Sequence, residues 1–99
     1  MTGYALTRAA HQDLREIAAY IASDNPAAAR RVIGRLHDAF AALAERPGIG
    51  HMRTDLTLQD VRFWTVRGRH VIVYREHADD VEILRILAAG RDISALLDS

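Results

Sequence analysis

The sequence predicts an α+β fold: an N-terminal strand, then an antiparallel two-helix hairpin packed on a mainly antiparallel sheet of about four strands. The element order is β-α-α-β-β-β, followed by a short C-terminal tail. Two observations lead there. Residues 61–66, 70–75 and 81–87 are three short runs rich in β-branched and aromatic residues, each bounded by glycine or by clustered charges, the pattern of consecutive hairpin-linked strands. Ahead of them, two stretches carry apolar residues at spacings of three and four, the period of amphipathic helices. A chain of 99 residues suits one domain, 1–99, and can bury a modest core without covalent staples.

Tyr4-Ala5-Leu6 is the short first strand. Thr7 ends it, and its hydroxyl can accept from an early helical N–H and so cap the helix that follows. From Arg8 to about Ala22, the residues Ala10, Leu14, Ile17, Ala18 and Ile21 form one stripe, with Asp13, Arg15 and Glu16 off it. Ser23-Asp24-Asn25-Pro26 is a stop and a restart: Asn25 is a good N-cap, and Pro26 at the first helical position lacks an N–H that would be unpaired anyway. The second helix sets Ala29, Val32, Ile33, Leu36, Phe40 and Leu43 on one face, and Pro47-Gly48-Ile49-Gly50 ends it. The short linker makes the two helices an antiparallel hairpin. Each is too short to be stable alone, so both stripes must rest on the sheet.

Residues 51–60 read as a loop into the sheet. The strand at 61–66 alternates roughly. The next sets Val71 and Val73 on one face and Ile72 and Tyr74 on the other. The last is apolar on both faces apart from Glu82 and Arg85, as a strand inside a sheet should be. Being three apart in a strand, Glu82 and Arg85 are expected on opposite faces. Residues 93–97 suit a final helical turn.

There is no cysteine, which excludes disulfides, thiolate metal sites and a cysteine nucleophile. No run approaches the ~20 apolar residues of a membrane span, and the N-terminus lacks a signal-peptide pattern, so the expected setting is the cytoplasm. All 13 basic residues are arginine, which base composition of the genome explains most simply. The net charge of zero hides a segregation. Residues 46–75 hold six arginines against Asp55 and Asp60, while residues 76–99 hold two arginines against six acids. The middle third is thus the only locally basic part, too weakly so for bulk nucleic-acid binding by charge alone.

Several pieces of the chain occur together in a familiar order. They are Tyr4-Ala5-Leu6-Thr7, Asp13-Leu14-Arg15-Glu16-Ile17, Tyr20-Ile21 and Asn25-Pro26-Ala27-Ala28-Ala29-Arg30. Then come Leu43-Ala44-Glu45-Arg46-Pro47-Gly48-Ile49-Gly50, Val71-Ile72-Val73-Tyr74-Arg75, Val81-Glu82-Ile83-Leu84-Arg85 and Gly90-Arg91-Asp92. With these the chain resembles the RelE/ParE toxin superfamily over nearly its whole length, and is closer to the ParE-like branch. The resemblance implies the toxin of a type II toxin-antitoxin system, a bacterial growth-arrest protein. Its cognate ParD-like antitoxin would fold on it and bind operator DNA, so that the toxin meets the operator only through that partner. ParE-like members poison DNA gyrase on cleaved DNA. RelE-like members are ribosome-dependent mRNA endoribonucleases, the alternative reading, alongside a toxin that binds antitoxin but has lost activity.

A metal-free RNase needs a base for the 2′-hydroxyl, a proton donor and cations on the phosphate. The RelE branch supplies these with Lys and Arg on the sheet and a late Tyr. Here the position where that branch tends to carry Arg is Val71, no Tyr follows Tyr74, and Lys is absent. The expectation is therefore a protein inhibitor with no catalytic residues, no cofactor and no metal. His51 and His70 are the only candidate bases near the basic region, and His70 reads as an exposed turn residue. His11, His37 and His77 lack metal-ligand spacing. Trp64 reads as core filling, with an interface anchor as its rival. The expected target- or antitoxin-binding set is Arg53, Arg62, Trp64, Tyr74, Arg75, Arg85, Arg91 and Asp92, with Arg91-Asp92 also bracing the tail.

Overall fold

Thr7 joins strand to helix with a single side chain. Its hydroxyl accepts from the Ala10 N–H at 3.1 Å and donates to the Leu84 carbonyl at 2.9 Å. In the computed structural model, which describes residues 3–53, 55 and 59–90, it lies between β1 (Tyr4–Leu6) and α1 (Arg8–Ala22). Asn25 does the same for α2 (Pro26–Glu45), accepting from the Ala28 N–H at 3.1 Å. A single 3₁₀ turn, Pro47–Ile49, follows. The chain then forms β2 (Arg62–Val66), β3 (His70–His77) and β4 (Asp80–Ala88). The two hairpin strands run further than their apolar residues suggest. His77 pairs with Asp80, so the polar break after Arg75 is mostly strand and only Ala78 and Asp79 turn. Expectations for 93–97 fall outside the described residues.

The sheet order is β1-β4-β3-β2. β2–β3 and β3–β4 are antiparallel, while β1 joins β4 in parallel, with Tyr4 opposite Val81 and Leu6 opposite Ile83. β4 is therefore flanked on both sides, which is why it is apolar on both faces. Ile72, Tyr74, Val81, Ile83 and Ile86 face Ala10, Leu14, Leu36, Phe40 and Leu43 of the helices in one buried cluster. Val61, Phe63, Val71, Val73 and Leu87 form a second buried cluster, with Leu84 against it. Each fully buried large aliphatic or aromatic side chain contributes about 1.5–3 kcal/mol against exposure, so these two clusters supply most of the drive that holds the sheet.

β4 carries one residue too many. Ile83 lies opposite Tyr74 and Arg85 opposite Val73, leaving Leu84 as a bulge. An inserted residue shifts the alternation of faces by one, so Ile83 and Ile86, three apart, both enter the helix-side cluster. The expectation that Glu82 and Arg85 lie on opposite faces fails for the same reason. Glu82 stands opposite Arg75 and Arg85 opposite Val73, two positions of like parity on β3.

Candidate functional site

The arginines of the strands are occupied. Arg53 holds Asp55 through two hydrogen bonds of 2.8 and 2.7 Å. That contact raises the Arg53 guanidinium above its ordinary range and lowers the Asp55 carboxyl. Arg75 holds Glu82 at 2.8 Å across the β3–β4 pair. Arg62 donates to the Gly50 carbonyl at 3.1 Å. Solvent screens exposed contacts of this kind, so they add little to stability and matter here chiefly because they engage the side chains.

Arg85 does more. It donates through Nε and Nη2 to Asp13 of α1, at 2.8 and 3.0 Å, and the same carboxylate accepts the Ile86 N–H at 2.9 Å. β1 stops at Leu6, so beyond it no described strand lies on that side of β4. Thr7 and then Asp13 take over as hydrogen-bond partners, meeting Ile83 and Leu84 through their carbonyls and Ile86 through its N–H. Asp13 was expected off the apolar stripe, yet it is 7% exposed. It lies three residues after Ala10 and four before Ile17, on the flank of the stripe that turns toward the edge of β4. The carboxylate raises the Arg85 guanidinium above its usual range, chiefly through the hydrogen bond.

Tyr74 is fully enclosed. Its hydroxyl donates to the Pro47 carbonyl at 2.7 Å and accepts the Gly50 N–H at 2.8 Å, fastening the turn after α2 to the middle of β3. Burial raises its phenol above the ordinary value. A Cβ on Gly50 would overlap the Tyr74 hydroxyl, so glycine is required by close approach. Trp64 packs against the helix-side core, as the core-filling reading expects, and its ring is stacked by His51 at 6.5 Å.

Of the residues singled out in the sequence, Arg62, Trp64 and Tyr74 thus meet around Gly50 and His51. Arg75 sits with Glu82, Arg85 with Asp13, and Arg53 with Asp55, each elsewhere. Tyr74 offers no surface to a partner. Arg91 and Asp92 lie outside the described residues. His70 is half-buried at the start of β3, not the exposed turn residue expected, and burial with the neighbouring Arg69 charge lowers its pKa.

The place of Tyr20 was missed in the sequence. Where β1 is lacking, a groove of about 610 Å³ opens between α1 and the end of β4. Ile17, Tyr20 and Ile21 line its helix wall, Ile86 and Leu87 its strand wall, and Arg69, His70 and Arg85 also border it. Tyr20 is 82% exposed. The available signal was an aromatic next to the helical stripe with no place in the core.

This arrangement, a two-helix hairpin over a β1-β4-β3-β2 sheet with a groove beside the first helix, is that of a small toxin scaffold of the RelE/ParE type. A family model described as ParE toxin of type II toxin-antitoxin system, parDE, matches residues 4–93, and the chain belongs to that family. It is 41% identical over 81 residues to the protein Y4kP of Sinorhizobium fredii (strain NBRC 101917 / NGR234), covering 77% of this chain and 76% of that protein. The fold is shared with a chain solved from the chromosomal ParDE TA system from P. aeruginosa. The TM-score is 0.72 at 24% identity, over 90% of this chain and 97% of the other. No helix among the described residues is long and apolar enough to cross a membrane.

Proposed function

We propose that this chain arrests growth by poisoning DNA gyrase on cleaved DNA, and that a cognate ParD-like antitoxin holds it inactive in the cytoplasm. The observation that carries the reading is the ParE family match across residues 4–93. The use of the arginines supports it. At three of the sheet positions expected to bind, Arg62, Arg75 and Arg85 each hold a partner within the fold and are not free to grip a phosphate. The scaffold reads as one that binds and obstructs another machine.

The groove along α1 is the surface that best fits the antitoxin. Ile17 and Ile21 give it an apolar wall, Tyr20 stands exposed as an anchor, and the end of β4 lacks a strand neighbour on that side among the described residues. A segment that folds on binding can use both, laying an apolar face on the helix and pairing with the strand edge. The antitoxin would in turn bring the pair to operator DNA.

The test is direct. Purified toxin added to gyrase and supercoiled plasmid should yield linear DNA after protein is removed, and prior addition of antitoxin should abolish the yield. Supercoiling that continues without linear product at saturating toxin overturns the gyrase reading. Codon-specific cuts in ribosome-bound mRNA would establish the nuclease alternative in its place.

A further inference from the structure

Arg46, Arg53, Arg62, Arg67, Arg69 and Arg75 form the locally basic middle of the chain. Arg53, Arg62 and Arg75 are engaged. Arg67 and Arg69 are not: they flank Gly68 at the exposed tip of the β2–β3 hairpin, with no side-chain partner among the described residues. Arg35 of α2 joins them. These three guanidiniums and His70 border one shallow recess whose other walls are Val32, Leu36 and Val66, and no acidic residue lines it. In a chain of zero net charge, this is a local concentration of unneutralised cations.

The backbone adds a second observation. The Arg69 N–H bonds the Val66 carbonyl at 3.1 Å, with φ of +53° at Arg67 and +66° at Gly68. A two-residue turn with both φ positive favours Asn-Gly or Gly-Gly, and a long side chain at the first position is disfavoured there. No hydrogen bond or ion pair of the Arg67 side chain among the described residues offsets this. Ala78 in the β3–β4 turn has a similar φ of +55°, so what sets this tip apart is the long cationic side chain held at such a position.

We propose that the tip formed by Arg67 and Arg69, with Arg35 beside it, is a finger that grips the phosphates of a nucleic-acid backbone. Arginine suits this, because its planar fork meets phosphate oxygens in pairs. A two-stranded ribbon is also narrow enough for the DNA major groove. An acidic protein partner fits less well. Protein interfaces centre on desolvated apolar or aromatic anchors, and neither exposed large hydrophobic among the described residues lines this recess: Tyr20 stands on the α1 groove that Arg69 also borders, and Met52 lines neither. The inference goes beyond the gyrase reading and stands without it, since the contact is with the nucleic acid itself.

The experiment measures fluorescence anisotropy of a labelled duplex of about 20 base pairs titrated with the purified chain at several salt concentrations. Three phosphate contacts give a slope of log K against log salt near −2.7, so affinity should fall roughly fortyfold between ~50 and ~200 mM salt. Arg35→Gln/Arg67→Gly/Arg69→Gln should bind weakly with a nearly flat slope. Arg69→Gln alone should flatten the slope by about one. A charge-matched control, Arg8→Gln/Arg30→Gln/Arg46→Gln, should retain the wild-type slope. The triple variant should melt within a few degrees of wild type, because its three side chains are engaged by no described residue and glycine relieves the positive φ at 67, so its lost binding is not lost folding. Equal binding by the triple variant and wild type overturns the proposal, as does a wild-type chain that fails to bind. Displacement of the duplex by a polyglutamate peptide at lower charge concentration than unlabelled DNA overturns it in favour of an acidic protein partner.

Discussion

Replacing Asp13 with alanine removes three hydrogen bonds at once and tests whether α1 is latched to β4 as described. The Ile86 N–H, in a residue 2% exposed, loses its partner, and an orphaned buried donor costs about 1–3 kcal/mol. Arg85 loses both its bonds, but its side chain keeps 31% exposure and can turn toward water, so this share is discounted to about 1 kcal/mol. The sum, ~2–4 kcal/mol, is a large part of the ~5–15 kcal/mol that holds a domain together. It lowers the melting temperature by roughly 10–25 °C at this chain length. Asp13→Asn keeps an acceptor for the Ile86 N–H and gives up only the charge, so it should cost about half as much. Urea titration followed by circular dichroism gives both values. Because the contact raises the Arg85 pKa, the stability it adds is complete below the guanidinium range and is lost only as pH rises through it. The loss in Asp13→Ala should therefore not vary with pH near neutrality on account of Arg85. An alanine variant within ~0.5 kcal/mol of wild type, or an asparagine variant as costly as alanine, refutes the latch.

Other perturbations follow from the same geometry. Tyr74→Phe strips the partner from the buried Gly50 N–H and should cost about 1–3 kcal/mol by urea titration. Since burial raises the Tyr74 pKa, wild type should lose stability as pH rises beyond 10.0, the ordinary value, and the Phe variant should lose less. His70 is the opposite case: its pKa is lowered from 6.5, so its contribution is complete above that value and is lost as pH falls through the lowered one. Unfolding midpoints of His70→Gln measured from neutral to acid pH should show a shallower fall than wild type over that window. Tyr20→Glu places a charge on the groove wall and should weaken antitoxin binding by roughly 10- to 100-fold, measured calorimetrically. It should leave gyrase-dependent plasmid linearisation intact; unchanged antitoxin affinity would move the docking surface off α1.

Local order was legible in the sequence and long-range chemistry was not. Thr7 and Asn25-Pro26 announce their helices because a cap acts within three residues, and the observed bounds of α1 coincide with the expected ones. The alternation of Val71, Ile72, Val73 and Tyr74 sorts them correctly between the two clusters. The sequence gives no sign of the bulge at Leu84, because an extra residue is defined only against the partner strand. The Asp13–Arg85 latch joins residues 72 positions apart, so Asp13 reads from its neighbours as solvent-facing and Arg85 as a free cation. Tyr74 stood out as a family-pattern residue, but its task as a clasp for Pro47 and Gly50 needed the fold. Sequence alone likewise cannot separate the engaged arginines of the strands from the unengaged pair at the Gly68 turn.

β4 is the last described strand to leave the ribosome, yet it sits inside the sheet and is the only described neighbour β1 has. Thr7 waits for a carbonyl 77 positions further on. Until that stretch emerges, the growing polypeptide can offer only two helices with bare apolar flanks and a ribbon lacking its centre. Ordering so dependent on distant contacts is slow and leaves sticky intermediates. Translation thus completes this fold late, and on the proposed reading that favours an antitoxin made beforehand and already at hand.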